Sequence, residues 1–250
     1  MLGIIGGSGL TQLENLEITQ RKVVRTPYGD PSGALTFGRI KNHEVVFLPR
    51  HGSGHTIAPH EVNYRANLWA LHSLGVKDVV SVATVGGIHP DLEPGSIVIP
   101  DQIIDYTWGR KATYFDGNTG KPVVHMDFTW PYCDCMRAFC IEACRAAGEV
   151  FVDGGVYAAV QGPRLETAAE ITRLERDGAT MVGMTGMPEA ALAKEIGLCY
   201  AAVTVVANHA AGRGNSAKAI TYEEVAAVLD QAMRRVRGVL EHLVDLHGEA

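Results

Sequence analysis

Short apolar, β-branched runs alternate with helical periodicities along this chain, and that alternation limits it to one fold class. The segments Leu2–Ile5, Leu35–Ile40, Glu44–Pro49, Asp78–Thr84, Ser96–Ile99, Gly155–Val160, Thr180–Met184 and Cys199–Ala207 have strand character. Between them, His60–Leu74, Cys133–Ala147, Thr167–Asp177, Pro188–Ile196 and Tyr222–Asp245 carry apolar residues at helical spacing. The pattern predicts an α/β fold. Leu35–Ile40 and Glu44–Pro49, joined through Lys41-Asn42-His43, predict a hairpin, so the sheet is mixed rather than purely parallel. No low-complexity linker, repeat or charge block divides the chain, and residues 1–250 are expected to form a single domain. The last helix has a stripe of Val225, Val228, Leu229, Met233, Val236, Leu240 and Leu243, expected to face the core.

Charge and composition exclude several classes. The formal net charge is -6 with no basic stripe, which argues against nucleic-acid binding through phosphate neutralisation. No apolar run is long enough to span a bilayer. The start, Met1-Leu2-Gly3-Ile4-Ile5, lacks the basic segment of a signal peptide and reads as a first strand, so a cytoplasmic enzyme is the expectation. Of 5 cysteines, Cys133, Cys135, Cys140 and Cys144 are close together. They suggest either a metal cluster or small core residues. The lack of C-x-x-C pairs favours the second, and the odd count argues against a disulfide framework.

Four loops that follow apolar strands are rich in Gly, Ser, Thr, Arg or His: Gly6–Leu10, Arg50–His55, Ala83–Gly87 and Met184–Glu189. Ligands of α/β folds bind at the carboxyl ends of strands, where glycines let backbone N–H groups approach an anion. Arg50 adds a planar, permanent cation suited to phosphate. Any one of these loops could be a plain turn, and four together point to a phosphate site. Thr185 before Gly186-Met187-Pro188 suits a helix start, whose N-terminus favours an anion. The first loop fails the G-x-G-x-x-G test because Gln12 holds the third glycine position, and no Walker lysine follows. Ser8 is not set in a G-x-S-x-G elbow.

Taken in order, Gly3–Leu10, Thr26–Ser32, Arg50-His51-Gly52 with His55–Ile57, Val62–Asn67, Pro94–Asp101, Gln161–Arg164 and Met184–Glu189 resemble the purine nucleoside phosphorylase family. The resemblance is strongest to its methylthioadenosine phosphorylase branch and covers the chain from Leu2 to the end of the last helix. It implies a single α/β domain with a distorted, barrel-like mixed sheet flanked by helices. It also implies a homotrimer, with a small-molecule nucleoside and inorganic phosphate as substrates and no metal or organic cofactor. Phosphate contacts are implied at Ser8, Arg50, His51, Ala83, Thr84 and Thr185, with His55 as a further candidate. Ribose contact is implied at Met184. The segment of His125 is implied to reach a neighbouring subunit's site; without the resemblance His125 would read as a surface turn residue.

The base pocket departs from that branch. Where the branch has two aspartates after its last strand, this chain has Asn208 and Ala210. An ionised Asp only accepts hydrogen bonds, which suits the 6-amino group and protonated N7 of adenine; an Asn offers one acceptor and one donor edge, which suits N7–H and O6 of a 6-oxopurine. Glu166, beside Leu165, stands where the 6-oxopurine enzymes also carry Glu. A carboxylate accepts from N1–H of a 6-oxopurine but would meet the bare N1 of adenine lone pair to lone pair. Alternatively, Asn208 is a strand-end turn residue and Glu166 a solvated charge. The inosine-type enzymes carry a His where this chain has Tyr222. Together with Val225, Tyr222 would line an apolar pocket for a 5′-methylthio group, or it is a helix-start core residue. The expected substrate is 5′-methylthioinosine, with Asn208 and Glu166 as the catalytic pair. Inosine or guanosine, methylthioadenosine, and a non-catalytic nucleoside-binding role are the alternatives.

Overall fold

The computed structural model describes residues 1–10, 12–117 and 122–249, without the side chain of Tyr222. Its strands are β1 (Leu2–Gly6), β2 (Glu17–Lys22), β3 (Leu35–Ile40), β4 (His43–Pro49), β5 (Asp78–Gly87), β6 (Ile97–Ile99), β7 (Gln102–Asp105), β8 (Phe151–Asp153), β9 (Val156–Ala159), β10 (Met181–Gly183) and β11 (Cys199–His209). Its helices are α1 (Tyr64–Ser73), α2 (Asp134–Ala146), α3 (Ala168–Arg176), α4 (Gly186–Glu195) and α5 (Tyr222–Gly248).

One mixed sheet contains all the strands, in the order β2-β3-β4-β1-β5-β10-β9-β7. The sheet forks at β5, which also pairs along its length with β11, and β11 leads on to β6 and β8. This fork gives the distorted sheet that the resemblance implies. The β3–β4 hairpin turns through Lys41 and Asn42, both with positive φ (46° and 69°), the conformation a two-residue hairpin loop requires.

The sheet is covered on both faces, which explains the near-continuous apolar runs. Successive side chains point to opposite faces. Ile5, Val46 and Val79 pack with Leu68 and Leu71 of α1 and Leu192 of α4. Ile4, Val45 and Val80 pack with Met136 of α2 and with Val236 and Leu240 of α5. Each fully buried side chain of this kind stabilises the fold by about 1.5–3 kcal/mol. The α5 stripe is buried from Ala232 onward, whereas Val225, Val228 and Leu229 remain partly exposed, so the core-facing reading holds only for the later turns.

α1 is capped by Asn63, whose side chain accepts from the Ala66 N–H. α3 begins in a capping box: Thr167 accepts from the Glu170 N–H, and Glu170 accepts from the Thr167 N–H. Glu170 also takes both arms of Arg164, at 2.8 Å each.

Cys140 and Cys144 are buried core residues. The expectation against a disulfide is overturned, because Cys133 is bonded to Cys199, 66 residues away. Compartment and cysteine count carry no geometry. The chain turns into α2 beside the start of β11, with the Cys133 N–H donating to Tyr200 O, which brings the two Cα atoms to 5.1 Å.

Candidate active site

The parallel strands β1, β4, β5 and β11 deliver their carboxyl ends to one side of the sheet, around a cavity of 630 Å³. Gly6 pairs with Pro49, so Ser8 and Arg50 emerge side by side, and the Arg50 N–H donates to Gly6 O. Ser8, Arg50, His51, Ala83, Thr84 and Thr185 all line this cavity, so the candidate anion segments, far apart in sequence, meet in one place, although Ala83–Gly87 is the end of β5 rather than the loop the sequence predicts. His55 is also there, with its Nε2 3.4 Å from Ser8 Oγ. Gly7 must lack a side chain: a Cβ there would lie 2.5 Å from Val82 O and 2.8 Å from Arg50 Nη1.

Arg50 does not present the open fork the sequence suggests. Its guanidinium donates to both carboxylate oxygens of Glu189, to Ser81 Oγ and to Val82 O, and only one N–H of Nη1 is left over. Glu189 also accepts from the hydroxyls of Ser81 and Tyr200. Burial pushes the guanidinium pKa down, but the charge and hydrogen bonds of Glu189 more than reverse this, so Arg50 stays above its ordinary value. Sequence reasoning included Glu189 only as the end of the Met184–Glu189 segment, without its role as partner of Arg50, and missed Ser81 and Tyr200. Ser81, a lone hydroxyl inside the apolar run Val79–Val82, was the available signal.

His51 donates through Nδ1 to Ile57 O at 2.8 Å, which leaves Nε2 as an acceptor. Burial and the neighbouring Arg50 charge lower its pKa to about 4, so the ring is neutral at physiological pH. Thr185 occupies the predicted N-cap of α4 but makes no side-chain cap bond, and regular helical geometry resumes after Met187, at the predicted Pro188.

Met184, Asn208, Ala210, Leu165, Glu166 and Val225 line the same cavity. Asn208 owes its place to a β-bulge: Val206 pairs with Val85 and Asn208 with Gly86, so Ala207 is extra and the strand is re-aimed at its end. The Asn208 amide nitrogen donates to His209 O at 2.6 Å. Glu166 is half-buried on the β9–α3 connection, and burial raises its pKa, with the nearby Glu170 charge adding to the effect. Apolar Ile220 joins Val225 on the wall near the start of α5. The side chain of Tyr222 is outside the described residues. His125 is exposed and does not line its own chain's cavity. Among the described residues, no three His, Cys, Asp or Glu side chains gather as a metal site, and no helix is long and apolar enough to cross a membrane.

One cavity lined by the hydroxyls of Ser8, Thr84 and Thr185, by Arg50 with its Glu189 partner and by Asn208 and Glu166 suits transfer of a sugar between a nitrogen base and phosphate. The chain belongs to the phosphorylase superfamily, whose family model matches residues 1–245. Among its relatives is the "Probable S-methyl-5'-thioinosine phosphorylase" of Pseudomonas syringae pv. tomato, 49% identical over 241 residues, which cover 96% of this chain and 97% of that protein. The 6-oxopurine nucleoside phosphorylase of Pyrococcus furiosus is 44% identical over 234 residues, 92% of this chain and 86% of the relative. Among solved structures, methylthioadenosine phosphorylase from Schistosoma mansoni in complex with adenine superposes with a TM-score of 0.95 at 33% identity, covering 100% of this chain and 92% of that one.

Proposed function

We propose that this enzyme carries out phosphorolysis of S-methyl-5'-thioinosine, releasing hypoxanthine and 5-methylthioribose 1-phosphate. The observation that carries this reading is that Asn208 and Glu166 line the same cavity as Ser8, Arg50, His51, Thr84 and Thr185. The relative from Pseudomonas syringae bears the corresponding name. The apolar Ile220 and Val225 suit a methylthio group better than a hydroxyl.

In this reading, phosphate accepts from Ser8, the Ala83–Thr84 backbone, Thr185 and the remaining N–H of Arg50, and its own P–OH donates to His51 Nε2. As the glycosidic bond stretches, the sugar gains oxocarbenium character, and phosphate stabilises that charge and attacks C1′ with inversion. Met184 packs under the ribose. As the C1′–N9 bond breaks, the base takes up at N7, through solvent, the proton that phosphate gives up; Asn208 Oδ1 accepts from that N7–H, its amide donates to O6, and Glu166 accepts N1–H. These contacts strengthen as charge moves onto the purine, so they favour the transition state over the ground state. The enzyme needs no metal or organic cofactor, and inorganic phosphate is its co-substrate. It works in the cytoplasm as a homotrimer, in which His125 approaches the cavity of an adjacent subunit.

The test is chromatography of free base from purified enzyme given 5′-methylthioinosine, 5′-methylthioadenosine or inosine, each with and without phosphate. Phosphate-dependent hypoxanthine from methylthioinosine, with little adenine from methylthioadenosine, is the expected result. Efficient adenine release would overturn the base assignment, and a preference for inosine would overturn the sugar assignment.

A further inference from the structure

Arg110 lies between β7 and α2, outside every motif that marks the site. Its Nη1 donates to Met184 O at 2.8 Å and to Met187 O at 2.6 Å. Its Nη2 donates to Gln161 O at 2.8 Å and Val160 O at 3.2 Å, and its Nε to Gln161 Oε1 at 3.2 Å. The guanidinium also sits 5.6 Å from the centroid of the Tyr64 ring. Among the described residues no carboxylate pairs with it, so this partly buried cation is compensated by carbonyl dipoles.

Those carbonyls belong to two segments that each bring residues to the cavity lining. One carries Met184 and Thr185; the other runs through Gln161 to Leu165 and Glu166. The segments are in contact, since a Cβ on Gly162 would meet the Met184 side chain. A rigid planar fork can hold carbonyls from two segments at a fixed spacing, whereas an ammonium on a flexible stem cannot impose that geometry.

We propose that Arg110 is a positioning residue for phosphorolysis, fixing the segment that carries Glu166 against the segment that carries Met184. This rests on the nucleoside phosphorylase reading above. Arg110 does not line the cavity, and it acts through the two segments it ties together.

The experiment compares full-length wild type, Arg110→Ala and Arg110→Lys. Each is assayed on whichever of 5′-methylthioinosine, inosine and 5′-methylthioadenosine the wild type turns over fastest. Calorimetry gives the Kd for inorganic phosphate, and thermal unfolding gives Tm. Arg110→Ala is expected to lose about 10²-fold in kcat/KM for the nucleoside, the scale of a small misplacement of reacting groups. Phosphate Kd stays within about threefold, because most of that cradle is held by other strands. Arg110→Lys stays well below wild type, and millimolar guanidinium partly restores Arg110→Ala but not wild type. A fully active Arg110→Lys, or equal loss of nucleoside and phosphate affinity together with a fall in Tm, would overturn the proposal. If Arg110→Ala does not fold, Arg110→Lys and its phosphate Kd decide the matter. A wild type that prefers inosine or methylthioadenosine overturns the substrate assignment alone, and the Arg110 comparison then proceeds on that nucleoside.

Discussion

Arg50 and Glu189, 139 residues apart in sequence, form a two-pronged ion pair at 2.6 and 2.9 Å with side-chain exposures of 1% and 0%. Breaking a buried pair on one side leaves an uncompensated charge, at a cost of about 3–5 kcal/mol. Glu189→Ala is therefore expected to lose stability on that scale in urea denaturation. It should also lose affinity for phosphate, because Arg50 is no longer held beneath Gly7. A variant as stable as wild type would mean that the pair is not structurally coupled.

At the base end, Asn208→Asp converts a donor–acceptor edge into an acceptor-only one. Turnover of 5′-methylthioinosine should fall by about 10²–10³-fold, the scale for removing a hydrogen bond made in the transition state. Activity on 5′-methylthioadenosine should rise only partly, because Glu166 still opposes adenine N1. Adding Glu166→Gln, which can donate to N1, should raise it further than the two single changes predict. Initial rates on both nucleosides for the three variants check this.

Burial raises the Glu166 pKa, and the ionised form is the one that accepts N1–H. The acid limb of kcat/KM on a 6-oxopurine substrate is expected above the ordinary carboxylate range, with activity falling as pH drops through it. Glu166→Gln should lower the plateau and remove that limb. A limb that persists in the variant would assign the titration to another group.

His51 gives a stability signature of known sign. Its folded pKa, about 4, is below the ordinary imidazole value of 6.5, so the unfolded chain takes up the proton first. The contribution of the neutral ring is fully present above about pH 6.5 and is lost as pH falls toward about 4. His51→Gln should flatten this part of the curve. Urea midpoints at pH 7.5 and pH 5, in phosphate-free buffer, make the comparison.

The long buried strands were legible in the sequence because both sheet faces are covered and their residues are apolar throughout. β2 was not, since Glu17–Lys22 is an exposed edge whose charged residues carry no burial pattern. β7 and β8 are only partly buried and end in aspartates, unlike the similarly short but fully buried β6 and β10. Residues of the cavity wall were readable where a Gly- and hydroxyl-rich segment follows an apolar run, as at Ser8 and Thr84, whereas Asn208 was legible only through the family resemblance. The support beneath them was not, because Glu189, Ser81 and Tyr200 converge through tertiary packing that no spacing encodes. The Cys133–Cys199 bond was hidden for the same reason.

The bulge at Ala207 releases the end of β11 from the strict alternation of the ladder. Residue 208 thus lines the cavity without belonging to the repeating core pattern. A change of side chain there can alter the cavity lining while the sheet that supports it keeps its pairing.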